Sequence, residues 1–273
     1  MTPPNSGRIA AFGLASLLVG FSLWHMFQFR VPFPFWDMIR VEAFLDDHFD
    51  RGWNLAGLAT ITQNEHRPVF PLLLWIADHA WFASTGVLVI LFDAALLAGI
   101  SVLWMGWMRS ATRPGSRRIA LMTAVAVVIF WPAQGENLTW PVQANSLFSL
   151  TALLTAIHAL LASERASADP QQRRRCLGWL ALTILLLFVA TYSLAFGLLG
   201  WPLFVCYLLL RRRPWWMIAP LATAGLGTVA PYAAFWVEVP HHAHALPSLL
   251  EPSSVVAYFF GLLGAPVHKF IEW

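Results

Sequence analysis

The sequence predicts an all-α fold: a polytopic transmembrane helical bundle of about eight spans, with a large first extracytoplasmic loop carrying interfacial helices. Three observations predict it. Of 273 residues, 58% are hydrophobic and only 11% charged, with a mean hydropathy of +0.62, whereas soluble domains carry about 25% charged residues. Apolar runs of spanning length recur along the chain. The arginines are clustered at 109–118 (RSATRPGSRR), 173–175 (RRR) and 211–213 (RRR), and with Arg8 and Arg165 these hold 12 of the 17 Lys and Arg. Such clusters mark the cytoplasmic side. The formal charge of +3 is then a topology signal, the lipid bilayer is the implied partner, and no nucleic acid is implied. Cys176 and Cys206 are the only cysteines and offer no disulfide or metal framework.

The elements follow in order. Arg8 precedes the run Ile9–Phe29, which ends in WHMFQFR with no small-residue cleavage site, so it reads as a retained first helix. Residues 30–67 form the first extracytoplasmic loop. Within it, Met38, Val41, Phe44, Leu45 and Phe49 make an apolar stripe that suits an interfacial helix. Residues 68–85 make a second short helix on the outer face, because Asp78 and His79 are costly in a lipid-facing position. Gly86–Met108 is an inward span. Ile119–Pro132 goes outward and Val142–Ala162 returns.

The run Leu177–Leu210 has an arginine triplet at each end, and as one helix it would be roughly 50 Å long at 1.5 Å per residue, against a hydrocarbon core of about 30 Å. It must be a hairpin, with its outer turn near TYSLAFG, 191–197. Trp215–Val237 goes outward and Val255 onward begins a last span. The amino terminus lies inside. The whole of 1–273 reads as a single membrane domain; its stop at HKFIEW, shortly after an eighth span begins, is expected either of an amino-terminal part of a longer protein or of a degenerate, shortened one.

With this topology the polar residues other than arginine gather on the outer side. Asp37 either caps the helix that follows it, or stands desolvated beside Trp36 and two prolines, poised as a general base. In TQNEHRPVFP, 62–71, Glu65 can accept a proton or meet a divalent cation, His66 can relay a proton, and Arg67 can clamp phosphate oxygens. Their alternative is a wet helix entrance, with Glu65 favourable to the helix N-terminus. In GENLTWPVQ, 135–143, Glu136, Asn137 and Gln143 beside Trp140 suit a sugar: carboxylate and amides for hydroxyls, an aromatic face for stacking. A plain helix connection accounts for them as well. Tyr192 lies at the outer turn of the hairpin. Asp46, Asp47 and Asp50 read as a solvated helix face, and His241, His242 and His244 lack the companions of a zinc site. Asp93, within a span, is expected to face other helices. No Gly-rich phosphate loop, GxSxG elbow or HExxH pair is present.

The amino-terminal span, the outer loop with FPFWD, the NEHRPVFP entrance and the TYSLAFGLLGWPL hairpin together resemble bacterial polytopic proteins related to the C-type (GT-C) membrane glycosyltransferases. The resemblance implies a sugar donor carried on polyprenyl phosphate and a loop carboxylate acting as catalytic base or metal contact. By position Asp37 is that carboxylate, Glu65 and His66 assist it, and Arg67 contacts the donor phosphate. A divalent cation is a cofactor consistent with this chemistry. The expected function is transfer of a sugar from a lipid-phosphate donor to a cell-envelope acceptor at the outer face of a bacterial cytoplasmic membrane. Two rival readings are a transporter or flippase of lipid-linked sugars, with Asp93 on its path, and a non-catalytic membrane partner subunit.

Overall fold

The computed structural model describes residues 6–31, 38–52, 57, 61–64, 66–113, 115–131, 138–235 and 253. Its helices are α1 (Ser6–Gln28), α2 (Met38–Arg51), α3 (Val69–Phe82), α4 (Val87–Ala111), α5 (Ser116–Ile129), α6 (Ala144–Ser167), α7 (Arg173–Thr191), α8 (Gly200–Leu210) and α9 (Trp215–Ala234). Among the described residues the only isolated extended pairing is a bridge between Gln63 and His66. The span expected from Val255 onward lies outside the described residues.

Four helical segments are long and apolar enough to cross a membrane: Val87–Ala111, Pro141–Ser167, Arg173–Thr191 and Trp215–Ala234. The chain is a membrane protein. Leu17, Val102, Val128, Leu203 and Leu226 are each more than 60% exposed on their helices, and apolar side chains left outward on several helices need a hydrocarbon solvent. The α3 helix has 14 residues and is therefore about 21 Å long, too short to cross. Its Leu72, Leu74, Trp75 and Asp78 are buried while Leu73 and Trp81 are exposed, as the short helix at 68–85 requires.

Hydrogen bonds between helix ends mark two rims. At the arginine rim, the buried Glu164 of α6 accepts hydrogen bonds from Tyr207 Oη (2.7 Å) and Arg213 Nε (2.6 Å), with Arg211 3.8 Å away, so α6 and α8 terminate together. At the opposite, distal rim, Ser22 of α1 donates to Phe130 O beyond α5, Val31 N to Thr139 O (3.1 Å) and Phe70 N to Tyr192 O (3.3 Å). Successive long helices therefore alternate in direction. The largest buried cluster joins α6–α9 around Leu160, Leu180, Leu187, Trp201, Leu208 and Leu221.

The 177–210 run folds as the expected hairpin, and its turn shows why. Thr191 ends α7, a 3-10 turn covers Ala195–Leu199, and α8 begins at Gly200. Here Gly197 lies so close to the end of α7 that a Cβ on it would stand 2.4 Å from the Ala190 carbonyl carbon. A backbone atom cannot swing aside as a side chain can.

The stripe on α2 has a different partner from the lipid surface expected of it. Met38, Val41 and Leu45 are buried together with Leu72 and Trp75 of α3 and Val89 of α4, because α3 presents a matching apolar face at the same rim. Asp93 is 2% exposed and faces the bundle interior.

Gly197→Ala is expected to destabilise the protein by about 1–3 kcal/mol through overpacking, seen as a lower unfolding temperature in detergent. Gly227, with nothing within 4 Å of its added Cβ, is the matched control: Gly227→Ala should leave that temperature unchanged or raise it.

Candidate functional site

The distal rim carries two polar clusters. The first is the 63–67 segment. Gln63 and His66 exchange backbone hydrogen bonds of 3.0 and 2.9 Å around a turn in which Asn64 takes φ 53°, a left-handed conformation that asparagine tolerates better than most residues. Gln63 and Arg67, at the two ends of this segment, are buried, while Asn64 and His66 are half-buried. The Gln63 side-chain oxygen accepts from Asn145 Nδ2 of α6 at 2.6 Å. The Ala195 amide donates to His66 Nδ1 at 3.4 Å.

Arg67 is 6% exposed. Its guanidinium donates to the carbonyl of Phe235, the residue capping α9, and lies 5.5 Å from the centre of the Tyr232 ring and 5.9 Å from that of Phe235. A cation is favourable at a helix C-terminus, where carbonyls are left unpaired, and a desolvated guanidinium gains from aromatic faces. Arg67 thus ties the start of α3 to the end of α9. Tyr192 stands beside it, its ring 5.8 Å from that of Tyr232. Burial raises the Tyr192 phenol above its ordinary value, and the nearby Arg67 charge acts in the opposite direction.

The second cluster was not anticipated as a site. Glu42 of α2, His79 of α3 and Ser84 of the α3–α4 connection converge: His79 Nδ1 is 3.0 Å from Glu42 Oε1 and 2.9 Å from Ser84 Oγ, and Ser84 donates to the same Glu42 oxygen. The Phe49 ring stacks on His79 with centroids 4.5 Å apart. Both partners use the same ring nitrogen, so this is not the linear relay of a nucleophilic triad, in which hydroxyl and carboxylate take opposite nitrogens.

Asp78 builds the connection that places Ser84. Its carboxylate accepts from the amides of Gly86 and Leu88, both at 2.7 Å, so it caps α4 in place of the Gly86 side chain that does not exist. In return the backbone folds through three left-handed residues, Ala83 (φ 50°), Ser84 (φ 57°) and Gly86 (φ 73°). A negative carboxylate at a helix N-terminus is also favoured by the dipole. Between α2, α3 and α4 lies a small open cleft with a volume of about 30 Å³, lined among others by Met38, Glu42, Trp75, Asp78, Ser84 and Pro141.

Of the site residues predicted from sequence, His66, Arg67 and Tyr192 are brought together. Gln143 ends the short turn that starts with Pro141, and of this turn Pro141 lines the cleft. Asp37, Glu65, Glu136 and Asn137 lie outside the described residues. Glu42, Asp78, His79 and Ser84 were missed as a group. Asp78 and His79 gave a signal, being two polar residues in an apolar helix, but nothing in the sequence singled out Glu42.

Two outcomes test these assignments. Asp78→Ala leaves two amides of α4 without their acceptor and should cost about 2 kcal/mol or more, with faster hydrogen exchange at Gly86 and Leu88. For Tyr192, the fold favours the neutral phenol, so its contribution is full below about pH 10 and is lost as pH rises through the raised folded pKa. Tyr192→Phe cannot ionise, and unfolding measured through the alkaline range should show a shallower loss of stability than the unsubstituted chain. Equal slopes would remove Tyr192 as the titrating group.

Comparison with models of known families, with curated proteins and with solved structures finds no match to this chain.

Proposed function

We propose that this protein is a membrane glycosyltransferase that moves a sugar from a polyprenyl-phosphate donor to a cell-envelope acceptor. In this proposal it crosses the bacterial cytoplasmic membrane about eight times, with its amino terminus inside and the distal rim at the extracytoplasmic face. The observation that supports it is the cleft at that rim, lined by Glu42 and Asp78 and bordered by the first-loop helix α2. A lipid-borne donor presents its phosphate and sugar at the membrane surface, so the group that deprotonates the acceptor has to stand there too.

Asp37, the residue immediately before α2, is the proposed base. Glu65 and His66 assist it, and Glu136, Asn137 and Gln143 hold sugar hydroxyls. Arg67 is already engaged by the Phe235 carbonyl and two rings; its contribution to an anionic donor is therefore the field of a fixed buried charge rather than a bidentate clamp.

A second reading is favoured by one observation. Asp93 is buried within α4, and its Oδ1 has no hydrogen-bond partner among the described residues; an ionisable group inside a membrane span is expensive and suits a transport path.

The two readings separate in one assay. With an envelope-glycan label, Asp37→Asn should lower transfer by about 100-fold or more, the usual contribution of a general base. Asp47→Asn, at an exposed carboxylate paired with Arg51, should retain it. Unchanged transfer in Asp37→Asn sinks the catalytic assignment. Loss of lipid-sugar movement in Asp93→Asn alone would instead favour transport.

A further inference from the structure

We propose that Glu42, Asp46 and His79 form a site for a single first-row divalent cation of the zinc or manganese type. One ligand atom from each of the three residues lies within 4.8 Å of the other two. Glu42 and Asp46 are one helical turn apart on α2, so their carboxylates share a face, and His79 approaches from α3. The set is thus supplied by two packed helices rather than by one flexible loop, and the α2–α3 contact through Met38, Val41, Leu45, Leu72 and Trp75 holds the two in register.

The distances favour coordination. Glu42 Oε1 and His79 Nδ1 are 3.0 Å apart; two ligand atoms at about 2.0–2.1 Å from a zinc ion stand roughly 3.0–3.4 Å from each other, depending on the angle between them. Only Asp46, exposed and free to change rotamer, has to swing inward. Glu42, His79 and Ser84 already meet through His79 Nδ1 and Glu42 Oε1, so two of the three ligand atoms are preplaced.

The surroundings supply what a ligand set needs. Ser84 donates to Glu42, fixing the carboxylate, and the Phe49 ring stacks on His79, fixing the imidazole; such outer contacts orient ligands and tune affinity. One imidazole with two carboxylates suits zinc or manganese better than magnesium or calcium, which prefer all-oxygen sets. Three protein ligands leave a position open, and Glu42 and Ser84 border the cleft. An ion here would face that cleft and hold an anionic or hydroxyl oxygen there. The site stands on these contacts and does not depend on the sugar-transfer reading.

The test is metal binding by the full chain in detergent after chelator treatment, titrated with Zn²⁺ by calorimetry and with Co²⁺ by its visible absorption. One equivalent is expected to bind, and Glu42→Gln or His79→Gln should weaken it by about 100-fold or more, since losing even an outer-sphere partner costs about 10–100-fold. Asp46→Asn is the variant that folding cannot confound, because Asp46 is exposed; it should weaken binding at least about tenfold. Asp47→Asn should bind as the unsubstituted chain does. Absence of stoichiometric binding, or equal affinity in the Asp46→Asn and Asp47→Asn variants, would overturn the proposal. Because the readout is binding, its failure is distinguishable from a failure of glycosyl transfer.

Discussion

The Asp78 carboxylate is the constraint on which the distal rim depends. It is buried in a helix too short to cross the membrane, where an unpaired carboxylate is costly, and it is satisfied by two amides at the start of the next helix. That requirement sets how closely α4 follows α3 and forces the chain through successive left-handed residues. The sharp reversal in turn delivers Ser84 to Glu42 and leaves the cleft between α2, α3 and α4. A local debt of hydrogen bonding at one residue therefore shapes the surroundings of several others.

Arg67 plays the corresponding part on the other side of α3. Its charge ends α9, and the Gln63–Asn145 bond ties the preceding turn to α6. The short helix is thus held at its start by contacts to α6, α7 and α9, and at its end by α4. With both ends fixed, α3 offers α2 a rigid apolar face, and the first-loop carboxylate Glu42 is presented by packed helices rather than by a mobile loop. A site intended to bind an ion or to orient a substrate benefits from such rigidity.

Burial of polar groups also separates the two rims by chemistry. At the arginine rim, Glu164 is satisfied by a tyrosine hydroxyl and guanidinium groups, an arrangement that fastens helix ends. At the distal rim the carboxylates and the imidazole of Glu42, Asp46 and His79 face one another, and the arginines there, Arg30 and Arg67, donate to backbone carbonyls instead.

The helical class, the arginine rim, the hairpin at 177–210 and the short helix at 68–85 were legible in the sequence, because each follows from segment length, composition and the cost of charge in hydrocarbon. These are properties of a run of neighbours and need no partner. The polar character of 63–67 was legible too, but not the burial of Gln63 and Arg67, since Asn145, Ala195 and Phe235, which the segment meets, are between 82 and 168 positions away. Likewise Glu42 and His79 are 37 positions apart, and no local pattern says that the solvated-looking face of α2 turns toward the one polar step in α3. The sequence determined the helical class and where the long apolar runs break; only the tertiary structure decided which polar side chains share a pocket, because that depends on the packing of apolar stripes whose partners are distant in the chain.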